Sequence, residues 1–282
     1  MPIMQPVVRS QTQLLADLEA QLRDTANAKW TDEELYRAIN RGVRGWDSRV
    51  SFPAFYTFTT SADVTEYSLP FYMNMPLVIQ EQPANANGWI DLMAWQMYPS
   101  ATGSTIRLRT PRDGQVRVIY RARNGSVPLL PSTMTLVSDL PADHTAYTQV
   151  NNNNKYGVGR TGFVLIEEEW IRYTGIGTQT ADLFLSNLTR GDQDTVAALH
   201  TAAKTVTWGV AAPEERLFDQ LINQAAAQAH SFVLVNSPAR ETEHHQWAMR
   251  WHQQQADEFW ATYTPPGGGR IIAPGVERTV YA

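Results

Sequence analysis

Trp30-Thr31-Asp32-Glu33-Glu34-Leu35-Tyr36-Arg37-Ala38-Ile39-Asn40-Arg41-Gly42 marks where a helix begins and which side of it is buried. Thr31 and Glu34 have the spacing of a capping box, in which two residues at a helix start satisfy each other's backbone donors. Asp32, Glu33 and Glu34 fall in the first turn, where negative charge suits the helix dipole. Leu35, Ile39, Val43 and Trp46 then recur on one face, which predicts a helix running to about Val50. Upstream, Ser10 and Gln13 repeat the capping spacing ahead of Leu14, Leu15, Leu18 and Leu22. The connection from Asp24 to Trp30 is short, so the two helices are expected to form an antiparallel hairpin.

Beyond Pro53 the period changes from helical to twofold. Tyr56–Thr60, Thr65–Leu69, Thr105–Arg109 and Gln115–Arg121 alternate between apolar and polar residues, separated by Pro, Gly, Asn and Asp. They predict a small antiparallel sheet with one buried face. A second β-rich stretch follows, with strands expected at Met134–Ser138, Gly162–Thr174, Ala181–Leu188 and Thr205–Val210. The Asn151–Asn154 run and Gly157–Gly159 read as a polar surface loop. Helical signals return at Pro213-Glu214-Glu215, ahead of an apolar face made by Leu217, Leu221, Ile222, Ala225, Ala229, Phe232 and Val233. Ser237-Pro238 opens a last helix with Trp247, Trp251, Phe259 and Thr262 at helical spacing. Thr264-Pro265-Pro266-Gly267-Gly268-Gly269 is a linker to the final residues.

This order predicts an α+β chain: a helical bundle built from the N- and C-terminal helix pairs, with antiparallel β insertions and an extended C-terminal tail. The insertions are a small sheet plus a β-sandwich or barrel-like module. The expected divisions are 1–52 with 211–263 for the helical core, 53–123 for the β region, 124–210 for the inserted module and 264–282 for the tail.

The composition narrows the function. Of 282 residues, 43% are hydrophobic and 18% charged, enough to bury a core, and the net charge of −5 lacks the basic surplus of a dedicated nucleic-acid binder. The chain has no cysteine, which removes disulfides, thiolate metal sites and cysteine nucleophiles. Met1–Pro6 has neither the basic nor the apolar region of a secretory signal, and no apolar run reaches the length of a membrane span.

Reactive constellations are few. His230, His244, His245 and His252 lie in the C-terminal helices, where Glu241 or Glu243 would be the partner for metal ligation, but no second ligand cluster stands at diagnostic spacing and an ordinary polar helix face is the favoured reading. Glu167 and Glu169, on one face of a predicted strand, meet the carboxylate separation of a glycosidase without an evident cleft. Arg190-Gly191-Asp192 is too short to carry recognition, and Asp192 with Asp194 lacks the spacing of a calcium loop. Of nine tryptophans, Trp46, Trp247 and Trp251 sit at core helical spacing, which favours burial over sugar stacking. No nucleophile elbow, phosphate-binding glycine loop or dinucleotide fingerprint occurs. No catalytic residue, cofactor or metal is expected.

The segment from Leu14 to Glu19, and above all Trp30 to Asn40, resembles the opening of tailed-bacteriophage head-to-tail adaptor proteins, also called connector or head-completion proteins. The matching residues are Trp30, Thr31, Asp32, Glu34, Leu35, Ile39 and Asn40. The resemblance implies a non-enzymatic virion protein of the neck, made in the host cytoplasm. It would assemble as a dodecameric ring of its own copies, dock on the portal protein and meet a tail or neck protein. Genomic DNA would pass through the lumen without sequence-specific binding, and no membrane would be involved. A second resemblance lies in the inserted module. Glu167 with Ile171-Arg172-Tyr173, then Arg190-Gly191, then Thr195-Val196-Ala197-Ala198-Leu199-His200 are similar to a β module recurring in phage virion proteins. Glycine usually follows that histidine, where this chain has Ala202-Ala203-Lys204. The tail carries Ile271, Ile272, Val276, Val280 and Tyr281 beyond its glycine hinge, and is expected to add to the portal as a strand. The competing expectation is a tail or baseplate protein whose β module binds a receptor or glycan. A glycan hydrolase using Glu167 or Glu169 stands last.

Overall fold

Ser10 ends one element and begins the next. It is the last residue of a short strand, β1 (Val7–Ser10), and the N-cap of α1 (Gln11–Leu22), where its side chain and that of Gln13 form the reciprocal capping box. The sequence reading found the cap but not the strand. β1 pairs antiparallel with β14 (Val206–Ala212), Ser10 opposite Gly209, and so ties the start of the chain to the strand that feeds α3 (Arg216–Leu234).

The computed structural model describes residues 6–24, 29–46, 50–69, 76–83, 88–100, 103–110, 113–125, 127–129, 134–151, 161–179, 182–234 and 239–263. These fall into two units. The first joins the chain up to Phe52 with Arg123–Tyr263, and the second is built on Pro53–Ala122.

In the first unit a seven-stranded antiparallel sheet has the order β1, β14, β11 (Gly162–Ile166), β12 (Glu169–Gln179), β13 (Asp182–Asp192), β10 (Tyr147–Asn151), β9 (Thr135–Leu136). Bonds from Leu136 N to the Lys204 carbonyl and from Val206 N to the Met134 carbonyl, each 2.9 Å, bring β9 back to the start of β14, so the sheet curls on itself. Phe163, Val164 and Ile166 of β11 are fully buried, as an apolar run flanked by strands on both sides requires. With α2 (Asp32–Trp46) and α4 (Ala239–Thr262), the helices form a layer in which α3 is the middle member, packing on α2 and on α4. Gly42 makes the α2–α3 approach: a Cβ there would lie 2.8 Å from Leu221 Cδ1 and 3.3 Å from its carbonyl.

The second unit holds two smaller sheets. One has the order β2 (Phe52–Thr60), β8 (Gly114–Ala122), β4 (Pro76–Pro83), β5 (Ile90–Asp91); the other is β3 (Glu66–Leu69), β7 (Gly103–Leu108), β6 (Trp95–Ser100).

This architecture overturns the expected α+β helical bundle with β insertions. Among the described residues strand exceeds helix, 41% to 32%, in four helices and three antiparallel sheets. The physical reason lies in the core. Leu14, Leu35, Ile39, Trp46, Leu217 and Leu221 belong to the same buried cluster as Val164, Ile166, Ile171, Val206 and Val210. The apolar helix faces are therefore buried partly against a sheet, and the helix pairs have no core of their own. A second difference is local. The strand expected over Gly162–Thr174 is a hairpin, with Ile166 opposite Glu169 and a two-residue turn at Glu167-Glu168, Glu167 having φ 55°. No helix among the described residues is long and apolar enough to cross a membrane.

Candidate functional site

The residues singled out in the first helical hairpin prove to be anchors. Thr31 N donates to Glu34 Oε2 at 2.9 Å and Glu34 N to Thr31 Oγ1 at 3.3 Å, closing the capping box, with Asp32 exposed in the first turn. Trp30 is buried. Its indole Nε1 donates to the Ala229 carbonyl of α3 at 3.1 Å, and its backbone N–H to Asp24 Oδ2 at 3.1 Å. Leu35 and Ile39 are wholly inaccessible.

Asn40 is buried and reaches out of the helix layer. Its Nδ2 donates to the Val127 carbonyl at 2.8 Å, and Val127 N donates to its Oδ1 at 2.7 Å. A primary amide offers one donor and one acceptor side by side, so it can close on a backbone residue as a strand would. Three residues before Val127, Asn124 makes the same double bond to Ala211 of β14, at 2.7 and 2.8 Å. Two asparagine clamps thus pin the chain at Asn124 and Val127, where it re-enters the first unit. Asn124 was missed in the sequence, where an Asn beside Gly125 reads as an ordinary turn.

The second resemblance also resolves into one construction. Glu169 is buried, with each carboxylate oxygen in use. Oε1 accepts from Arg190 Nε at 2.7 Å and Gly191 N at 2.9 Å. Oε2 accepts from Arg190 Nη2 at 2.8 Å, Ala198 N at 3.0 Å and His200 Nε2 at 2.8 Å. Burial alone would raise this carboxyl, but the bonds from Arg190, the two backbone N–H groups and His200 outweigh it and hold the pKa at about 2. Arg190 spends its remaining donors on the carbonyls of Pro141, His144 and Ala198. The other nitrogen of His200 meets Glu167 Oε2 at 2.8 Å, and Glu167 also pairs with Lys204. Hydrogen bonds from Lys204 and His200 depress the Glu167 carboxyl. Thr195 Oγ1 accepts from Trp170 N at 3.0 Å, beside the register shift in β12. Gly191 has φ 62°, and a Cβ on it would meet the Thr195 carbonyl at 2.8 Å, which explains the glycine after Arg190. The motif is an ionic knot that fastens the β11–β12 hairpin, the end of β13 and the 193–204 segment together. Glu167 and Glu169 are not two carboxylates facing one cleft: one lies in a turn and the other is enclosed.

In α4 the expected burial of Trp247 and Trp251 is reversed. They are 64% and 42% exposed, stacked with ring centroids 6.5 Å apart, whereas Trp46 is buried as expected. The face of α4 turned to the core carries His245, Ala248, His252 and Ala256. His230 of α3 lies beside them, its Nδ1 2.9 Å from His245 Nδ1, in edge contact with the Trp30 ring. Burial, and then the nearby rings of His245, His252 and His244 and the charge of Lys29, push the His230 pKa down to about 4. His252, lowered by burial, donates to Asn223 Oδ1 at 3.2 Å. Glu243 is exposed, and the side chain of Glu241 lies outside the described residues. Among the described residues no group of three His, Asp or Glu side chains is placed to hold a metal ion.

Ile271, Ile272, Val276, Val280 and Tyr281, and the Asn152–Asn154 and Gly157–Gly159 stretches, lie outside the described residues. No family model matches the chain, and comparison with curated proteins and with solved structures gives no match.

Proposed function

We propose that this chain is a structural subunit of a tailed-phage neck, a head-to-tail adaptor that forms a ring of its own copies, docks on the portal protein and receives a tail or neck protein. One observation carries the reading. The residues that resemble adaptor proteins, Trp30 to Asn40, are those that lock α2 to α3 and clamp the re-entering chain at Val127. They serve the rigidity of a wall. The knot around Glu169 supports a non-catalytic role, because a carboxylate holding five protein donors at a pKa of about 2 has no proton or lone pair for a substrate. A net charge of −5 suits a conduit along which phosphates slide without sticking.

Electron microscopy of the full chain mixed with the portal protein of the same phage tests the proposal. A ring stacked on the portal is the expected image; a monomer that ignores the portal at micromolar concentration defeats it. Grip on the portal is assigned to the terminal Ile271, Ile272, Val276, Val280 and Tyr281. Truncation after Gly268 should then preserve the unfolding transition while abolishing attachment to filled heads.

One observation favours the recognition reading instead. Val196 and Leu199 are 82% and 61% exposed on the segment braced by the ionic knot, a stiff apolar tip of the kind that meets a partner. Adsorption of the purified chain to host cells, lost in V196S/L199S, would move the assignment to a tail or baseplate protein.

A further inference from the structure

The two outer helices of the layer, α2 and α4, carry unlike exposed faces. On α2 the exposed side chains of the helix body are Arg37, Arg41 and Arg44, three cations along one stripe. Arg41 leans on its own layer, over the Phe232 ring at 4.6 Å and bonded to Gln228 Oε1 at 3.2 Å, and Arg37 makes an exposed pair with Glu33. On α4 the outward stripe carries the stacked Trp247 and Trp251 together with Glu243 and Glu258, with Arg250 at its margin. Indoles at i and i+4 held parallel at 17° make a flat apolar platform already ordered before any partner arrives.

We propose that the outward face of α4, with Trp247, Trp251 and Glu258, docks onto the outward face of α2, with Arg37 and Arg44, of a second copy of this chain. The inference rests on the ring reading above and gives that ring its seam.

Charge selects the occupant. Two α4 faces brought together would oppose Glu243 and Glu258 to their own kind, and two α2 faces would oppose arginines, so a symmetric dimer through either face is disfavoured. Pairing unlike faces places guanidinium planes over indoles and beside carboxylates, which suits arginine better than lysine. The spacing agrees. Arg37 and Arg44 are seven residues apart, as are Trp251 and Glu258, so both pairs span about 10.5 Å of helix axis. One arginine can cover an indole while the other meets a carboxylate. Because α3 lies between α2 and α4, the two stripes belong to different helices of the layer, and each copy offers one while accepting the other. Such head-to-tail contacts between unlike faces are the ones that build rings.

The test is self-association of the full chain by sedimentation velocity over a concentration series, with circular dichroism to confirm folding. R37E/R44E should raise the dissociation constant of assembly at least about tenfold, and E243K/E258K likewise. W247S/W251S should raise it about a hundredfold, as loss of two central aromatic anchors does. An equimolar mixture of R37E/R44E with E243K/E258K should assemble again, because each variant's altered face then meets a complementary one. Wild-type assembly that survives in both charge variants, or a mixture of folded variants that stays dissociated, overturns the seam and leaves the ring reading intact. Variants that assemble normally but lose portal attachment would give the α4 face to another protein, which also overturns it. A wild-type chain that forms no ring with or without portal defeats the ring reading and this inference together.

Discussion

The asparagine clamps and His230 are neutral, whereas the knot of the β module is charged, and the contrast sorts what each depends on. Asn40 and Asn124 use amides, and His230 is kept from protonation by burial and by the rings around it. Glu169, Arg190 and His200 instead bury a carboxylate against a guanidinium and an imidazole, with Glu169 and Arg190 side chains 1% and 4% exposed. A neutral clamp costs little to desolvate and breaks gently. An ionic knot is tolerable only while every member is present, because each leaves the others as uncompensated buried charge.

The largest effect is therefore expected at Glu169. E169A should lower the unfolding free energy by about 3–5 kcal/mol, because Arg190 is left buried without its carboxylate and Gly191 and Ala198 lose acceptors. Denaturant unfolding measures this, and a loss below about 1 kcal/mol would mean the knot behaves like a surface pair and the contrast is false.

Acid separates the two regions next. The Glu169 carboxyl is held near 2 from an ordinary 4.5, so between those values the unfolded chain binds the proton the folded chain refuses. Its contribution, about 3 kcal/mol, is complete above pH 4.5 and disappears as pH falls towards 2. His230 sits at about 4 against 6.5, and again the unfolded chain takes up the proton first, so stability falls as pH drops from 6.5 towards 4. The His230–His245 contact adds a reason: its short N···N separation needs one ring nitrogen without hydrogen, and double protonation removes that acceptor. Stability curves against pH should flatten between 6.5 and 4 in H230Q, and between 4.5 and 2 in E169Q. One window lost in both variants would show a single shared titration instead.

A smaller, pH-independent loss is expected at the neutral clamp. N40A removes both bonds to Val127 and should cost about 2 kcal/mol, with the same value at pH 5 and pH 8. A difference between those pH values would place a titrating group in the clamp that the structure does not.

What the sequence revealed and concealed follows from the same chemistry. Helix starts were legible because capping is local: Ser10 with Gln13 and Thr31 with Glu34 act within four residues. The fold class was not, because an apolar helix face does not say whether a helix or a sheet covers it. The Glu167-Glu168 turn carries none of the residues that announce a hairpin. In α4 the periodicity is real but twofold. Trp247 and Trp251 define one stripe and His245, Ala248, His252 and Ala256 another, and size alone chose the wrong one. Small alanines let α4 approach α3, and histidines fill the remaining space, so the larger indoles are the side chains left outside.

The smallest predicted effect is a gain, and it bears on the module's one departure from the pattern it resembles. Glycine is expected soon after His200, and Ala203 stands there with φ 68°. Left-handed backbone brings an alanine Cβ against the following carbonyl and costs on the order of 1 kcal/mol relative to glycine. The conformation is imposed from both sides. Ala203 N donates to the Leu136 carbonyl at 2.8 Å and Ala202 N to Asp139 Oδ1 at 2.7 Å, so the turn is held in place by β9 and its following loop. Ala203 is exposed and contributes no core packing that glycine would forfeit. A203G should therefore raise the unfolding free energy by about 0.5–1 kcal/mol, the relief of strain being offset in part by the greater freedom of glycine in the unfolded chain. A loss of stability on A203G would mean that unfolded-state freedom outweighs the strain, and that the turn follows the module's pattern in position but not in its backbone demand.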